Sequence, residues 1–247
     1  MENTTSPKEL NAVLVGSKMS RKYLVGNIIL GREAFEPTVM PSHCEKRAGD
    51  VCSRRVTLVK TPGWLRGYRL CDTPELLKTE AMLSVSLCPP GPHAFILVVS
   101  ADLAFKQVHK KSTWEHFEHF YGQNVWDHAI VVFSGHRSSH ETIEHYIRME
   151  GEPLRSLLEA CGNRYHVLCE DSMGSDVKVR ELFEKIDAMV AGNNCCHYEI
   201  ESKLLQSIEE RRTEVEKKAK EIRLRSETQR KKLRALIADQ VCAECCT

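Results

Sequence analysis

No apolar run in this chain exceeds six residues, and the longest, AFILVV at residues 94–99, is far short of the roughly 20 needed to cross a bilayer. The opening MENTTSPKEL is polar and lacks an apolar segment of signal-peptide type. Net charge is almost absent, with 35 Lys and Arg against 34 Asp and Glu. Overall electrostatics therefore give no argument for nucleic acid. No short-period repeat is present, which excludes a solenoid. The 11 cysteines, without a secretory signal, read as reduced cytosolic thiols and not as a disulfide framework. Cys195-Cys196-His197 and the Cys242/Cys245 pair have no second pair at finger-like spacing, so they make a weak zinc signal. None of His109, His116, His119, His128, His136 and His140 stands in a recognisable nucleophile context. Trp64, Trp114 and Trp126 read as packing residues and not as a base-stacking platform.

What is present is a chain of 247 residues, enough for one domain of ordinary size with an appendage. It is organised around residues 13–35, VLVGSKMSRKYLVGNIILGREAF. An apolar run ends at Gly16, five residues intervene, and Lys22 heads an apolar-periodic run. That is the layout of a strand, a phosphate loop and a helix. The pattern GxxxxGK[ST] needs a second glycine before the lysine and a hydroxyl after it. Arg21 and Tyr23 occupy those two positions.

Beyond this stretch, strands are predicted at residues 12–15, 55–59, 93–100, 129–133 and 164–168 from apolar or β-branched runs. Residues 35–49, broken by Pro37 and Pro41, are expected to be loop. Helices are predicted at 22–30, 108–121, 141–149, 153–161 and 177–190. A further helix starts at Thr73-Pro74-Glu75, with Thr73 as its cap. Strands alternating with helices, several of them apolar throughout, argue for a mostly parallel sheet covered on both faces. In such folds ligands sit at the carboxyl ends of the strands, where residues 16–23 lie.

The phrases GNIILGREAF (26–35), CEKR (44–47), RRVTLVKTPGW (54–64) and CPPGPHAFILVVS (88–100) resemble those of the immunity-associated GTPases, the GIMAP family with its AIG-type G domain. So do IVVFSG (130–135), TIEHYI (142–147), CGNRYHV (161–167) and MVAGNN (189–194). The resemblance spans about residues 11–194. It implies an α/β, Ras-like P-loop G domain with a mostly parallel six-stranded sheet between helices, guanine nucleotide as ligand, and assembly on membranes. The positions matching the family nucleotide site are Gly16, Ser17, Lys18, Arg21, Lys22, Tyr23, Lys60, Gly63, His136, Arg137, Cys169 and Glu170.

Most of these positions have lost the side chain the chemistry requires. Arg21 replaces a glycine that admits positive φ, and a tyrosine phenol cannot replace the short hydroxyl that ligates Mg²⁺. Lys22 then reads as an ordinary helix-start lysine. Pro41 stands where the family has a switch threonine, with Thr38 nearby. Lys60-Thr61-Pro62-Gly63 keeps the turn of the DTPG motif but puts an ammonium where a carboxylate orients the metal shell. Two readings of Lys60 stay open: a surface lysine, or an ammonium in the charge role of Mg²⁺. Ser134-Gly135-His136-Arg137-Ser138-Ser139 contains no carboxylate to pair with guanine, and losing such an acceptor forfeits most base discrimination. Leu168-Cys169-Glu170-Asp171 replaces the fifth motif's asparagines; Glu170 is either a substitute acceptor or a solvated loop acid.

Four segments are expected: a disordered N-terminus (1–10), the AIG-type G domain (11–195), a long charged helix (196–240) and a Cys-rich tail (241–247). Between residues 198 and 237 there is neither Pro nor Gly. Ile208, Val215, Ile222, Gln229 and Leu236 follow a heptad step, while Leu205, Arg212, Ala219, Ser226 and Leu233 are only partly apolar. That makes a marginal coiled coil or a helix folded back on the domain. Its basic second half beside Cys242, Cys245 and Cys246 suits a membrane surface through charge and S-acylation.

The expected function is that of a GIMAP-type pseudo-GTPase: GTP or GDP weakly held at most, no magnesium, and a cytoplasmic protein peripheral on membranes. Its partners would be related GTPases or itself, not nucleic acid. The alternative is a weak or atypical GTPase using Gly16 and Lys22. A third reading is metal-free binding of nucleotide as a fixed structural ligand.

Overall fold

The computed structural model describes residues 9–37, 42–135, 142–194 and 196–199, and in the tail 206, 210, 213, 214, 217, 218 and 220–231. The chain divides into two units, Met1–Glu201 and Ser202–Thr247. In the second, residues 220–231 are helical. Thr38, Pro41, His136, Arg137, Leu205, Val215, Leu236 and the cysteines at 195, 242, 245 and 246 lie outside the described residues.

The first unit is a six-stranded sheet flanked by helices. Its strands are β1 (Glu9–Val15), β2 (Glu45–Val51), β3 (Arg54–Lys60), β4 (Ala94–Ser100), β5 (Ala129–Ser134) and β6 (Tyr165–Val167). Its helices are α1 (Lys22–Leu30), α2 (Glu75–Leu83), α3 (Gln107–Tyr121), α4 (Ile143–Glu150), α5 (Glu152–Ala160) and α6 (Asp176–Gly192). The strand order is β2-β3-β1-β4-β5-β6. Every pairing is parallel except β2 with β3. The order reverses at β1, which pairs with both β3 and β4, so the crevice for a ligand opens at its carboxyl end.

The apolar runs become the centre of the sheet because strands covered on both faces must bury every side chain. All seven residues of β4 and all six of β5 are buried. Leu14, Leu58, Ile96 and Ile130 meet Val25, Ile28 and Ile29 of α1 and Leu182 and Ile186 of α6 in one core. Each such side chain contributes about 1.5–3 kcal/mol by leaving water. The phrase GNIILGREAF has a local explanation here. A Cβ on Gly26 would lie 2.6 Å from the Phe35 ring, so glycine lets that ring pack on the helix. Asn27 then ties down the turn after α1, accepting from the Ala34 and Phe35 amides at 2.9 and 2.7 Å and donating to the Phe35 carbonyl at 2.9 Å.

Three expectations are corrected. Glu9 and Leu10, assigned to a disordered N-terminus, belong to β1 because Leu10 is a buried core residue. Residues 45–49, expected to be loop, belong to β2. An edge strand needs only one partner and little burial, so EKRAGDV carries no apolar pattern. Thr73 does not cap α2. Pro74 does, and the Thr73 hydroxyl lies 2.7 Å from Nε2 of the buried His116.

The first unit also extends past its expected end at residue 195. Tyr198 is buried against Phe95 and His128, its amide donates to the Pro92 carbonyl at 2.9 Å, and its phenol donates to the Tyr121 carbonyl.

Candidate functional site

The loop from Gly16 to Arg21 joins β1 to α1 at the topological switch point. Gly16 has φ +149°, and a Cβ there would lie 2.6 Å from the Val98 carbonyl. Residues Lys18–Ser20 form a short 3-10 turn. Arg21 follows at φ 55°, ψ 40° and accepts at its carbonyl the first amides of α1, from Leu24 and Val25. The backbone thus keeps the left-handed turn that a glycine would make freely. A non-glycine residue there costs about 1–2 kcal/mol. The guanidinium offsets part of this by pairing with Asp102 at 3.2 Å and Glu170 at 3.1 Å. Both pairs are partly exposed and each is worth at most about 1 kcal/mol. Glu170 is therefore engaged with Arg21 and is not simply a solvated loop acid.

Lys22 is not an exposed helix-start lysine. It is 5% exposed, and its ammonium turns back onto the loop, donating to the carbonyls of Gly16 (2.8 Å) and Ser17 (2.9 Å). Burial, and then the positive charges of Lys60 and Lys18, bring its pKa down to about 7. Tyr23 packs its ring against the core.

Lys60 does not reach out to water either. Its side chain is 4% exposed and lies 2.8 Å from Oε1 of Glu45, the residue directly opposite it in the β2–β3 pairing. It also donates to the Glu36 carbonyl at 3.3 Å and sits 5.4 Å from the Phe35 ring centroid. Removing the carboxylate from such a pair leaves an uncompensated buried ammonium, which generally costs about 3–5 kcal/mol.

The turn after β3 closes over the loop. Thr61 bonds the Leu14 carbonyl through both its amide (3.1 Å) and its hydroxyl (3.0 Å). A Cβ on Gly63 would lie 2.6 Å from the Lys18 amide and 2.7 Å from Lys22 Nζ, so only glycine permits this approach. The Lys18 amide, a donor that a phosphate loop offers to its ligand, instead bonds the Trp64 carbonyl at 2.9 Å. From the other side, the Ser134 hydroxyl donates to the Ser20 carbonyl at 2.7 Å. Gly135 follows, where a Cβ would collide with Asp102.

Of the expected positions, the structure gathers Gly16, Ser17, Lys18, Arg21, Lys22, Tyr23, Lys60 and Gly63 at one end of the sheet, and Arg21 draws in Glu170. Cys169 adjoins Glu170, its amide bonded to the Ser172 hydroxyl at 3.2 Å. Glu45 and Asp102 were missed. Asp102 had a signal, being an acid just past the carboxyl end of a strand neighbouring β1. Glu45 had none, because its pairing depends on the register of an edge strand.

The donors available for a divalent cation can be tested directly. A magnesium ion needs oxygen ligands in octahedral array. The two positions that supply or orient them in the family's motifs hold a tyrosine, packed against the core at the edge of the cleft, and a buried ammonium. These residues do not fit the ion.

The sequence profile of the AIG1 family matches residues 10–221. The chain belongs to the AIG1 family. It is similar to the immune-associated nucleotide-binding protein 9 of Arabidopsis thaliana, 27% identical over 238 residues, covering 90% of this chain and 66% of that protein. It is also similar to the human GTPase IMAP family member 8, 26% identical over 205 residues, covering 79% of this chain and 29% of that protein. The AIG1 chain therefore spans just under two thirds of the first relative and under one third of the second. Among solved structures, Toc33 of Arabidopsis thaliana in complex with GDP and Mg²⁺ superposes with a TM-score of 0.58 at 10% identity, over 75% of this chain and 86% of that one. Aquifex aeolicus Era bound to GDP and AlF4⁻ gives 0.52 at 11% identity, over 74% and 57%. At these identities the likeness concerns the fold alone, a Ras-like G domain.

Proposed function

We propose that this AIG1-family chain is a pseudo-GTPase, a G domain that holds its switch-side structure by internal ion pairs and acts through its surfaces. The observation that carries this reading is the Lys60–Glu45 pair. It puts a buried positive charge, already neutralised by the chain, where a metal-orienting carboxylate is required. Arg21 repeats the pattern with Asp102 and Glu170. In a working G domain the phosphates and the metal supply complementary charge. Here carboxylates of the chain do so, and the folded state needs no ligand to balance them.

Such a protein would serve as a regulatory or scaffolding partner of related GTPases or of itself, in the cytoplasm. The basic helix and Cys242, Cys245 and Cys246 would bring it to membrane surfaces. Dimerization is important for the GTPase activity of the chloroplast translocon components Toc33 and Toc159, a precedent for GTPase pairing within this fold. The weak-GTPase reading keeps one observation in its favour: Gly16 and Lys22 still fold as a phosphate loop, with the lysine curled over the carbonyls.

Titration of the full chain with fluorescent GTP and GDP, in Mg²⁺ and in EDTA, with phosphate release followed in parallel, tests the proposal. It predicts no metal-dependent affinity and no turnover. Metal-dependent binding with turnover would overturn it. Association with family GTPases in pull-down tests the partner role, and its absence counts against that half.

A further inference from the structure

β2, EKRAGDV, is an edge strand whose one neighbour in the sheet is β3. The hairpin between them fixes which of its main-chain groups face outward. Val51 lies opposite Arg54, and the two residues that join them, Cys52 and Ser53, both have positive φ, 49° and 62°. That is a two-residue turn of type I′, and the residues flanking such a turn bond each other through both main-chain groups. Along an antiparallel pair, bonded and unbonded residues alternate. Val51, Gly49, Arg47 and Glu45 therefore bond β3. Asp50, Ala48 and Lys46 point their amides and carbonyls away from it.

Two side chains confirm the direction. Arg47 donates to the Lys46 carbonyl at 2.9 Å and Arg32 to the Ala48 carbonyl at 2.8 Å, both in exposed positions. Among the described residues, no main-chain group bonds the outward amides or carbonyls of Lys46, Ala48 and Asp50. The charges along this edge are symmetric about Ala48. Lys46 lies two residues before it and Asp50 two after, both exposed, with small side chains at Ala48 and Gly49 between them. Asp50 reaches Arg55 at 3.3 Å, in a pair more than half open to water, which leaves its carboxylate free to share.

We propose that β2 is a docking edge for a second copy of this chain, the two strands pairing antiparallel with Ala48 opposite Ala48. The outward groups of Lys46, Ala48 and Asp50 then bond those of Asp50, Ala48 and Lys46 in the other copy, and the sheet runs on through both. The contact is isologous, so each Lys46 faces an Asp50. Opposite charges facing across strands stabilise the pairing and like charges oppose it. Centring the pair on Arg47 would set two arginines face to face. Centring it on Gly49 would place Asp50 opposite Ala48 and leave Lys46 without a carboxylate.

Edge strands are commonly guarded by charge. A guard of one sign would exclude a second copy, whereas opposite signs set evenly about the middle match one. Because the paired strands run antiparallel, the crevices of the two copies lie at opposite ends of the joined sheet. The dimer therefore leaves both nucleotide-facing sides uncovered. This inference deepens the self-association part of the reading above, names its surface, and rests on that part alone. With polar contacts and little apolar area, the dimer belongs among the small, transient interfaces.

Sedimentation velocity of the full chain from about 1 to about 200 μM should show a monomer–dimer equilibrium that weakens with salt. Lys46→Glu sets a glutamate opposite Asp50, and Asp50→Lys sets a lysine opposite Lys46; each alone should weaken the dimer about tenfold. Mixed one to one, the two variants regain opposite charges at both pairs and should associate as tightly as the unsubstituted chain. Amide exchange followed by NMR should slow with concentration at Lys46, Ala48 and Asp50, and stay unchanged at Arg47 and Gly49, which already bond β3. A monomer at every concentration, a dimer indifferent to both substitutions, or mixed variants that fail to associate would overturn the inference. So would protection of the outward amides that is independent of concentration, which assigns the edge to a segment of the same chain. None of these results bears on turnover, and Mg²⁺-dependent turnover would remove the pseudo-GTPase reading without touching the dimer.

Discussion

The two ends of the sheet are built from different materials. At the amino-terminal ends of the central strands, aromatic rings interlock. Phe95 meets Phe117 and Tyr198 edge to face, with centroids 6.0 and 4.9 Å apart, and Tyr121 at 4.5 Å. At the carboxyl ends, loops and strand termini are joined by ion pairs: Lys60 to Glu45, and Arg21 to Asp102 and Glu170. The first end resembles any well-packed core. The second carries reversed charge where a G domain holds its ligand. Packing tolerates little change in shape, whereas a charged site can be rebuilt if each new charge gains a partner. On the proposed reading, framework and chemistry have parted company in this AIG1 chain.

Substitutions at each end should behave accordingly. Phe95→Ala, at the aromatic end, should cost about 4 kcal/mol in urea unfolding, because it leaves a cavity that neighbouring rings cannot fill. At the charged end, Glu45→Gln should cost about 3 kcal/mol, while Lys60→Met should cost under about 1 kcal/mol. The first strands a buried ammonium; the second frees a carboxylate that water can reach. Equal costs would contradict the assignment of Lys60 as the buried, dependent member of the pair.

Proton linkage gives a further contrast. Lys22 has a folded-state pKa lowered from 10.5 to about 7, so between those values the unfolded chain binds more protons. Stability contributed by this group therefore rises as pH increases from 7 to 8, by about 1 kcal/mol. Lys22→Met should remove that rise in thermal or urea unfolding measured across this interval. At the aromatic end, Tyr198→Phe keeps the ring and loses the bond to the Tyr121 carbonyl, for about 1 kcal/mol. Smallest of all is Arg21→Gly, which relieves the left-handed conformation while giving up two half-exposed ion pairs. The net change should lie within about 1 kcal/mol of zero.

Much of the aromatic end and of the central sheet was legible in the residues. Runs such as AFILVV and AIVVF have no polar face, and only a strand covered on both sides accommodates them. β2 was not, because an edge strand with no fully buried residue resembles a polar loop. At the charged end the losses were legible and their compensation was not. Arg21, Tyr23 and Lys60 declare themselves as departures at fixed positions in a motif. Asp102, Glu170 and Glu45 come from separate loops and strands that only the folded sheet brings to them. The condition of Lys22 was the least legible, since a lysine at a helix start gives no sign that it will curl inward and be buried.

The central claim is that this crevice offers no place for a divalent cation beside a triphosphate. Mn²⁺ prefers the same oxygen ligands as Mg²⁺ and is paramagnetic, so the electron paramagnetic resonance spectrum of Mn²⁺ with GTP, recorded with and without the full chain, tests it directly. The account predicts the spectrum of free Mn²⁺·GTP, unchanged by saturating protein. A new, protein-dependent Mn²⁺·GTP signal that is lost in Lys22→Met would contradict it.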